Sequence, residues 1–107
     1  STVGASSLLP PLEEALAKFE SLPEPERIVV KRFLNLVASG ISGEEAQRKI
    51  RQLAEEVGLR TRSERLRAYR AIYKLVLGEE SGPPVRRLLE TPGVRDYLLK
   101  LYETLSK

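Results

Sequence analysis

The sequence predicts an all-α protein, a compact bundle of five or six short helices. Three observations lead there. Apolar residues recur at helical spacing along most of the chain. Two Ser/Thr-x-x-Glu segments mark helix starts, and glycines follow the ends of the apolar stripes. No segment alternates strictly between apolar and polar residues, as a half-buried strand would.

The elements follow in order. Residues 1–9 read as a flexible lead-in of small residues, and residues 10–107 as a single helical domain. Pro10 and Pro11 open a first helix, because proline suits a first turn. Leu12, Ala15, Leu16 and Phe19 then share one face. A second helix is expected from about Pro25 to Ala38. Its Ile28, Val29, Val30, Phe33, Leu34, Leu36 and Val37 exceed one narrow stripe, so it should be central. Gly40 stands where a left-handed cap belongs.

Ser42-Gly43-Glu44-Glu45 reads as a capping box that opens a third helix. Ala46, Ile50, Leu53, Ala54 and Val57 form its buried stripe. Gly58 ends it, and Leu59 can fold back over the last turn. Thr61-Arg62-Ser63-Glu64 is a second capping box. It opens a fourth helix that runs to about Leu77 and stops at Gly78. Leu66, Tyr69, Ile72, Tyr73 and Val76 mark its expected buried side. Pro83-Pro84 starts a short helical piece through Leu89. Thr91-Pro92 is expected to cap the last helix. There Val94, Leu98, Leu101 and Leu105 form a seam for another helix, inside or outside the chain.

Composition removes several function classes. The 107 residues fit one small domain. Cysteine and histidine are absent, so disulfides, Cys- or His-ligated zinc and a Ser-His-Asp triad are excluded. No apolar run reaches the roughly 20 residues that span a bilayer. The opening STVGASSLLPP lacks the basic and apolar regions of an intact signal peptide, and a cytoplasmic location is expected. Adjacent pairs such as Glu13-Glu14, Glu55-Glu56 and Glu79-Glu80 point about 100° apart on a helix, so they cannot work as facing acid and base. No catalytic residue, cofactor site or metal site is read. Few Asn and Gln among many charges suggest a thermophile source.

The formal net charge of +3 conceals an uneven distribution. Residues 1–26 carry Glu13, Glu14, Glu20, Glu24 and Glu26 against Lys18 alone. Between 47 and 78 stand Arg48, Lys49, Arg51, Arg60, Arg62, Arg65, Arg67, Arg70 and Lys74, opposed by Glu55, Glu56 and Glu64. On the fourth helix Arg67, Arg70 and Lys74 share one strip beside the apolar arc. Arg60, Arg62 and Arg65 crowd the helix start, where the macrodipole disfavours cations by a few tenths of a kcal/mol each. A phosphate arriving there would reverse the sign, since backbone N–H groups and arginine forks would both face it. Local pairing of Arg51 with Glu55, or of Glu56 with Arg60, would leave most of these cations uncompensated.

Leu53-Ala54-Glu55-Glu56-Val57-Gly58-Leu59 has the pattern of the front of a helix-turn-helix: an alanine, a turn glycine and an apolar residue. The second half departs, because the next apolar residue comes late, at Leu66. An αα-hairpin closed by a glycine cap fits the same residues.

A longer stretch carries a family likeness. Phe33-Leu34-Asn35-Leu36 and Gly40-Ile41-Ser42 lead into a helix with Lys49-Ile50-Arg51 and Leu53. Arg65-Leu66-Arg67-Ala68-Tyr69-Arg70-Ala71-Ile72-Tyr73-Lys74-Leu75 follows. Over roughly residues 28–77 this resembles the core-binding domain of tyrosine recombinases, a small helical domain that clamps DNA beside a catalytic domain. The resemblance implies that Arg65, Arg67, Arg70 and Lys74 touch phosphate or base edges. Tyr69 and Tyr73 would pack in the core. The catalytic domain is absent, and there is little room between Gly58 and Thr61 for the family's usual short helix.

The expected function is therefore non-enzymatic DNA binding, with duplex favoured over single strand, through the third and fourth helices. Arg62, Arg65, Arg67, Arg70 and Lys74 would contact phosphates, supported by Arg48, Arg51 and Arg60. Five neutralised phosphates give a slope of log K against log salt of about −4.5. The alternative is a protein-interaction module or small subunit. It would use the acidic N-terminal stretch and the Val94, Leu98, Leu101, Leu105 seam, with a partner or with itself.

Overall fold

The computed structural model describes residues 9–106. These residues form α1 (Leu12–Ser21), α2 (Glu24–Ala38), α3 (Gly43–Glu56), α4 (Arg62–Leu77), α5 (Val85–Glu90) and α6 (Val94–Leu105). Among the described residues there is no strand, so the chain is an all-α bundle. Residues 1–8 of the expected lead-in lie outside the described residues. Leu9 packs against the core.

Helix α2 is the central element, as its excess of apolar residues requires. Val29, Val30, Phe33, Leu34 and Val37 are all buried. Val30, Phe33 and Leu34 meet Ile72, Leu75 and Val76 of α4 and Leu98 and Leu101 of α6 around one closed interior point. All six helices contribute to this main cluster. Burying each large side chain is worth about 1.5–3 kcal/mol, so this contact dominates the stability of the fold.

Helix ends follow local chemistry. After α2, Gly40 takes φ +86°, and the N–H groups of Gly40 and Ile41 reach back to the carbonyls of Val37 and Leu36. After α3, the N–H groups of Gly58 and Leu59 bond Glu55 and Ala54 in the same way, and Leu59 is buried. Both ends are Schellman caps, which need a residue that tolerates positive φ.

Three expectations need correction. The Ser42 hydroxyl accepts from the Glu45 N–H, but the Glu45 carboxylate lies 3.3 Å from Arg48 instead of returning to Ser42. Half the box suffices here because one capped donor anchors the first turn. Thr91 does not cap α6. Its hydroxyl donates to the Arg87 carbonyl and closes α5, while Gly93 at φ +87° precedes α6. Leu66 is 42% exposed and not a core residue. Ala68, Ala71 and Leu75 occupy the core in its place, because α4 is turned toward α1, α2 and α3 on that side. Along α6, Val94, Leu98 and Leu101 are buried and Leu105 is partly buried. The seam packs against α2 within the chain, the first of the two arrangements its spacing allows.

Two tight places generate predictions. Gly43, in the first turn of α3, is buried against α5, and a Cβ there would lie 2.5 Å from the Arg86 carbonyl oxygen. The Arg86 N–H also donates to Gln47 Oε1 at 3.1 Å, which holds that backbone in place. Gly43→Ala should therefore destabilise the fold by about 1–3 kcal/mol in chemical denaturation. The second place is Tyr97. Its hydroxyl is buried and has no hydrogen-bond partner among the described residues. Burial, first of all, and the Glu14 carboxylate push its pKa up to about 12. Removing an unpaired buried hydroxyl costs no hydrogen bond. Tyr97→Phe should leave stability unchanged or raise it by up to about 1 kcal/mol in the same measurement.

Candidate nucleic-acid interface

The sequence-predicted basic residues lie on α3, α4 and the five-residue turn from Val57 to Thr61. A small second cluster fixes how the two helices meet. Ala54 of α3 and Ala68 of α4 are fully buried with Val29 of α2 and Leu59 of the turn, and Leu53 and Val57 pack at its edge. Alanines let the helix axes approach closely. This arrangement is an αα-hairpin with a turn longer than that of a helix-turn-helix.

The start of α4 is held by a complete capping box. The Thr61 hydroxyl accepts from the Glu64 N–H at 3.2 Å, and Glu64 Oε1 accepts from the Thr61 N–H at 3.0 Å and the Arg60 N–H at 3.2 Å. The bond from the Thr61 N–H is the main reason that the Glu64 carboxyl is held below the usual carboxylate range. Arg65 adds a further tie, donating from its guanidinium to the Arg60 carbonyl at 2.6 Å. The turn is thus fastened from both sides, and Glu64 and Arg65 are both used in fastening it.

Rotation of α4 decides which cations face outward. With Ala68, Ala71, Ile72, Leu75 and Val76 turned inward, Arg62, Leu66, Arg67, Arg70 and Lys74 fall within an outward arc of about 140°. All five are exposed. Arg62, Arg67 and Arg70 have no carboxylate at ion-pair distance among the described residues. Lys74 differs, since its ammonium lies 3.9 Å from Glu80.

The remaining predicted residues are spread around this strip. Arg51 of α3 and Arg65 of α4 act on Tyr69 electrostatically. Burial raises the Tyr69 pKa, and these two cations oppose the rise. Arg48 pairs with Glu45. Arg60 borders a shallow groove with Gln52, Glu55 and Glu56. The local pairs that the spacing permits do not form: Glu56 reaches Arg32 of α2 at 3.0 Å instead of Arg60, and Arg51 and Glu55 are not at ion-pair distance. The tyrosines behave as core residues. Tyr73 is buried, and its hydroxyl donates to the Pro83 carbonyl at 2.6 Å. Tyr69 is half-buried against the core.

Two acidic residues near the strip were missed in the sequence. Glu26 of α2 faces Arg67 and Lys74. Burial, the largest effect, raises its pKa, and those two cations act in the opposite direction. Glu26, Val30, Phe33 and Val37 stand at i, i+4, i+7 and i+11, so periodicity puts Glu26 on the inward side of α2. That signal was readable. Nothing in local sequence indicated that Glu80, beyond the α4 cap, comes back toward Lys74.

No helix among the described residues is long and apolar enough to cross a membrane. No known protein family, curated protein or solved structure matches this chain.

The capping box sets a pH-dependent expectation. A carboxylate whose folded pKa is depressed stabilises the fold above its unfolded value, near 4.5, and loses that contribution as pH falls through the folded value. Glu64→Gln should therefore lower the thermal midpoint at pH 7. The gap from the parent protein should narrow below about pH 4.5 and close in stronger acid. Thermal melts across this range, followed by circular dichroism, provide the check.

Proposed function

We propose that this chain is a non-enzymatic DNA-binding domain that holds the phosphate backbone through α3 and α4. The observation that carries the reading is the outward strip of α4. Three arginines there are exposed on one side of a well-capped helix and lack internal carboxylate partners. Arginine forks match phosphate geometry, and a helix free along one side fits the width of a duplex major groove. Arg62, Arg67 and Arg70 make the central contacts. Lys74 and Arg65 add to them where phosphate can displace their internal partners. Arg48, Arg51 and Arg60 support from α3 and the turn. The resemblance to the core-binding domain of tyrosine recombinases points the same way, to a DNA-clamping domain. In this reading the chain acts in the cytoplasm of a thermophile.

The protein-interaction alternative would rest mainly on the acidic N-terminal stretch, because Val94, Leu98 and Leu101 of the α6 seam are buried and Leu105 is partly buried.

Fluorescence anisotropy with mixed-sequence duplex and single-stranded DNA at several salt concentrations tests the proposal. Submicromolar duplex binding at low salt is expected. The slope of log K against log salt should be about −2.7 if only the three unpaired arginines engage, and about −4.5 if five cations do. Charge reversal by Arg67→Glu with Arg70→Glu should cut affinity at least about tenfold while leaving the helical circular dichroism unchanged. Unaltered affinity in that double variant would sink the assignment to α4.

A further inference from the structure

A second cationic surface lies away from α4. Residues of α2 that face outward are Lys31, Arg32 and Asn35, with Ile28 half-buried beside them. They stand opposite Val30, Phe33 and Leu34, which pack inward toward α4. With Tyr102 and Ser106 at the end of α6, they line an open groove of about 350 Å³. That volume is at the lower end of the range for small-molecule sites.

The chemistry of the groove is one-sided. Among the described residues its lining holds two cations and no carboxylate. Lys31 has no ion-pair partner among the described residues, and Arg32 gives one guanidinium nitrogen, Nη1, to Glu56 at 3.0 Å, which leaves its other nitrogens for a ligand. The Tyr102 hydroxyl donates to Asn35 Oδ1 at 3.1 Å. That bond occupies the acceptor end of the amide, so Asn35 presents its Nδ2 donor pair. Ile28 and the Tyr102 ring add an apolar wall. A ligand fitting this set has acceptor oxygens with negative charge at one end and a flat apolar group at the other.

We propose that the α2–α6 groove is a binding site for a nucleotide phosphate ester, distinct from the α4 strip. Lys31 and Arg32 take the phosphate, Asn35 donates to an oxygen, and Tyr102 acts as a positioning residue for the Asn35 amide. The same chemistry occurs in a free mononucleotide and in a single-stranded segment, and the site serves either. It stands whether or not α4 binds duplex.

The test is an NMR titration of the 15N-labelled full chain with adenosine monophosphate, adenosine and a five-nucleotide mixed DNA strand. Adenosine monophosphate should shift the Lys31, Arg32 and Asn35 signals, including the Asn35 side-chain amide. Adenosine without phosphate should bind at least about tenfold more weakly. Tighter binding of the strand identifies a nucleic-acid segment as the occupant, and tighter binding of the monophosphate identifies a free nucleotide. Lys31→Glu should weaken binding at least about tenfold. Tyr102→Phe should weaken it about threefold while freeing the Asn35 side-chain signals. The Arg67→Glu, Arg70→Glu double variant should retain groove binding in full, which separates this site from the α4 strip. Absence of shifts at Lys31, Arg32 and Asn35 with millimolar monophosphate and with the strand would overturn the proposal. Undiminished binding by Lys31→Glu would do the same.

Discussion

The rotation of α4 about its own axis is the constraint on which the rest of this structure depends. Small residues set it. Ala68 and Ala71 sit where α4 approaches its neighbours, and Ile72, Leu75 and Val76 fill the space beyond them. A larger residue at either alanine would push the helix away, because interiors packed near crystal density leave no slack. Once that side faces inward, Leu66 must face water and Arg62, Arg67 and Arg70 must face outward. The polar surface of the domain is therefore a consequence of its apolar contacts.

The turn before α4 carries this constraint through the backbone. Gly58 permits the left-handed residue that ends α3, and Leu59 folds into the small cluster with Ala54 and Ala68. Thr61, Glu64 and Arg65 then occupy the polar groups of Arg60 and Thr61. An arginine-rich helix start is unfavourable by the macrodipole, and Glu64 offsets part of that cost. Glu64, one of the three acids in the basic segment, is thus structural, and so is Arg65. What remains for a ligand is a narrower set of cations than the charge count suggests.

Acidic residues from distant parts of the chain shape the same surface. Glu80 lies 3.9 Å from Lys74 near the end of α4, and Glu26 faces both Arg67 and Lys74. On the other side of α2, Lys31 and Arg32, the latter paired with Glu56, face a groove that no carboxylate lines among the described residues.

Local sequence determined the helices and most of their ends. Periodicity placed α1 through α6. The pattern Thr-x-x-Glu named a cap that forms in full, and Gly40, Gly58 and Gly78 stand at left-handed positions. These features depend on residues within four or five positions of each other, so a single sequence contains them. Tertiary structure decided matters that depend on which helices meet. It made the α6 seam internal, turned Leu66 outward, sent Glu56 to Arg32 and brought Glu26 to face Arg67. The periodicity of a helix fixes which residues share a face but not how wide the buried arc is. That width is set by neighbours far away in sequence, here α1, α2 and α3 around α4.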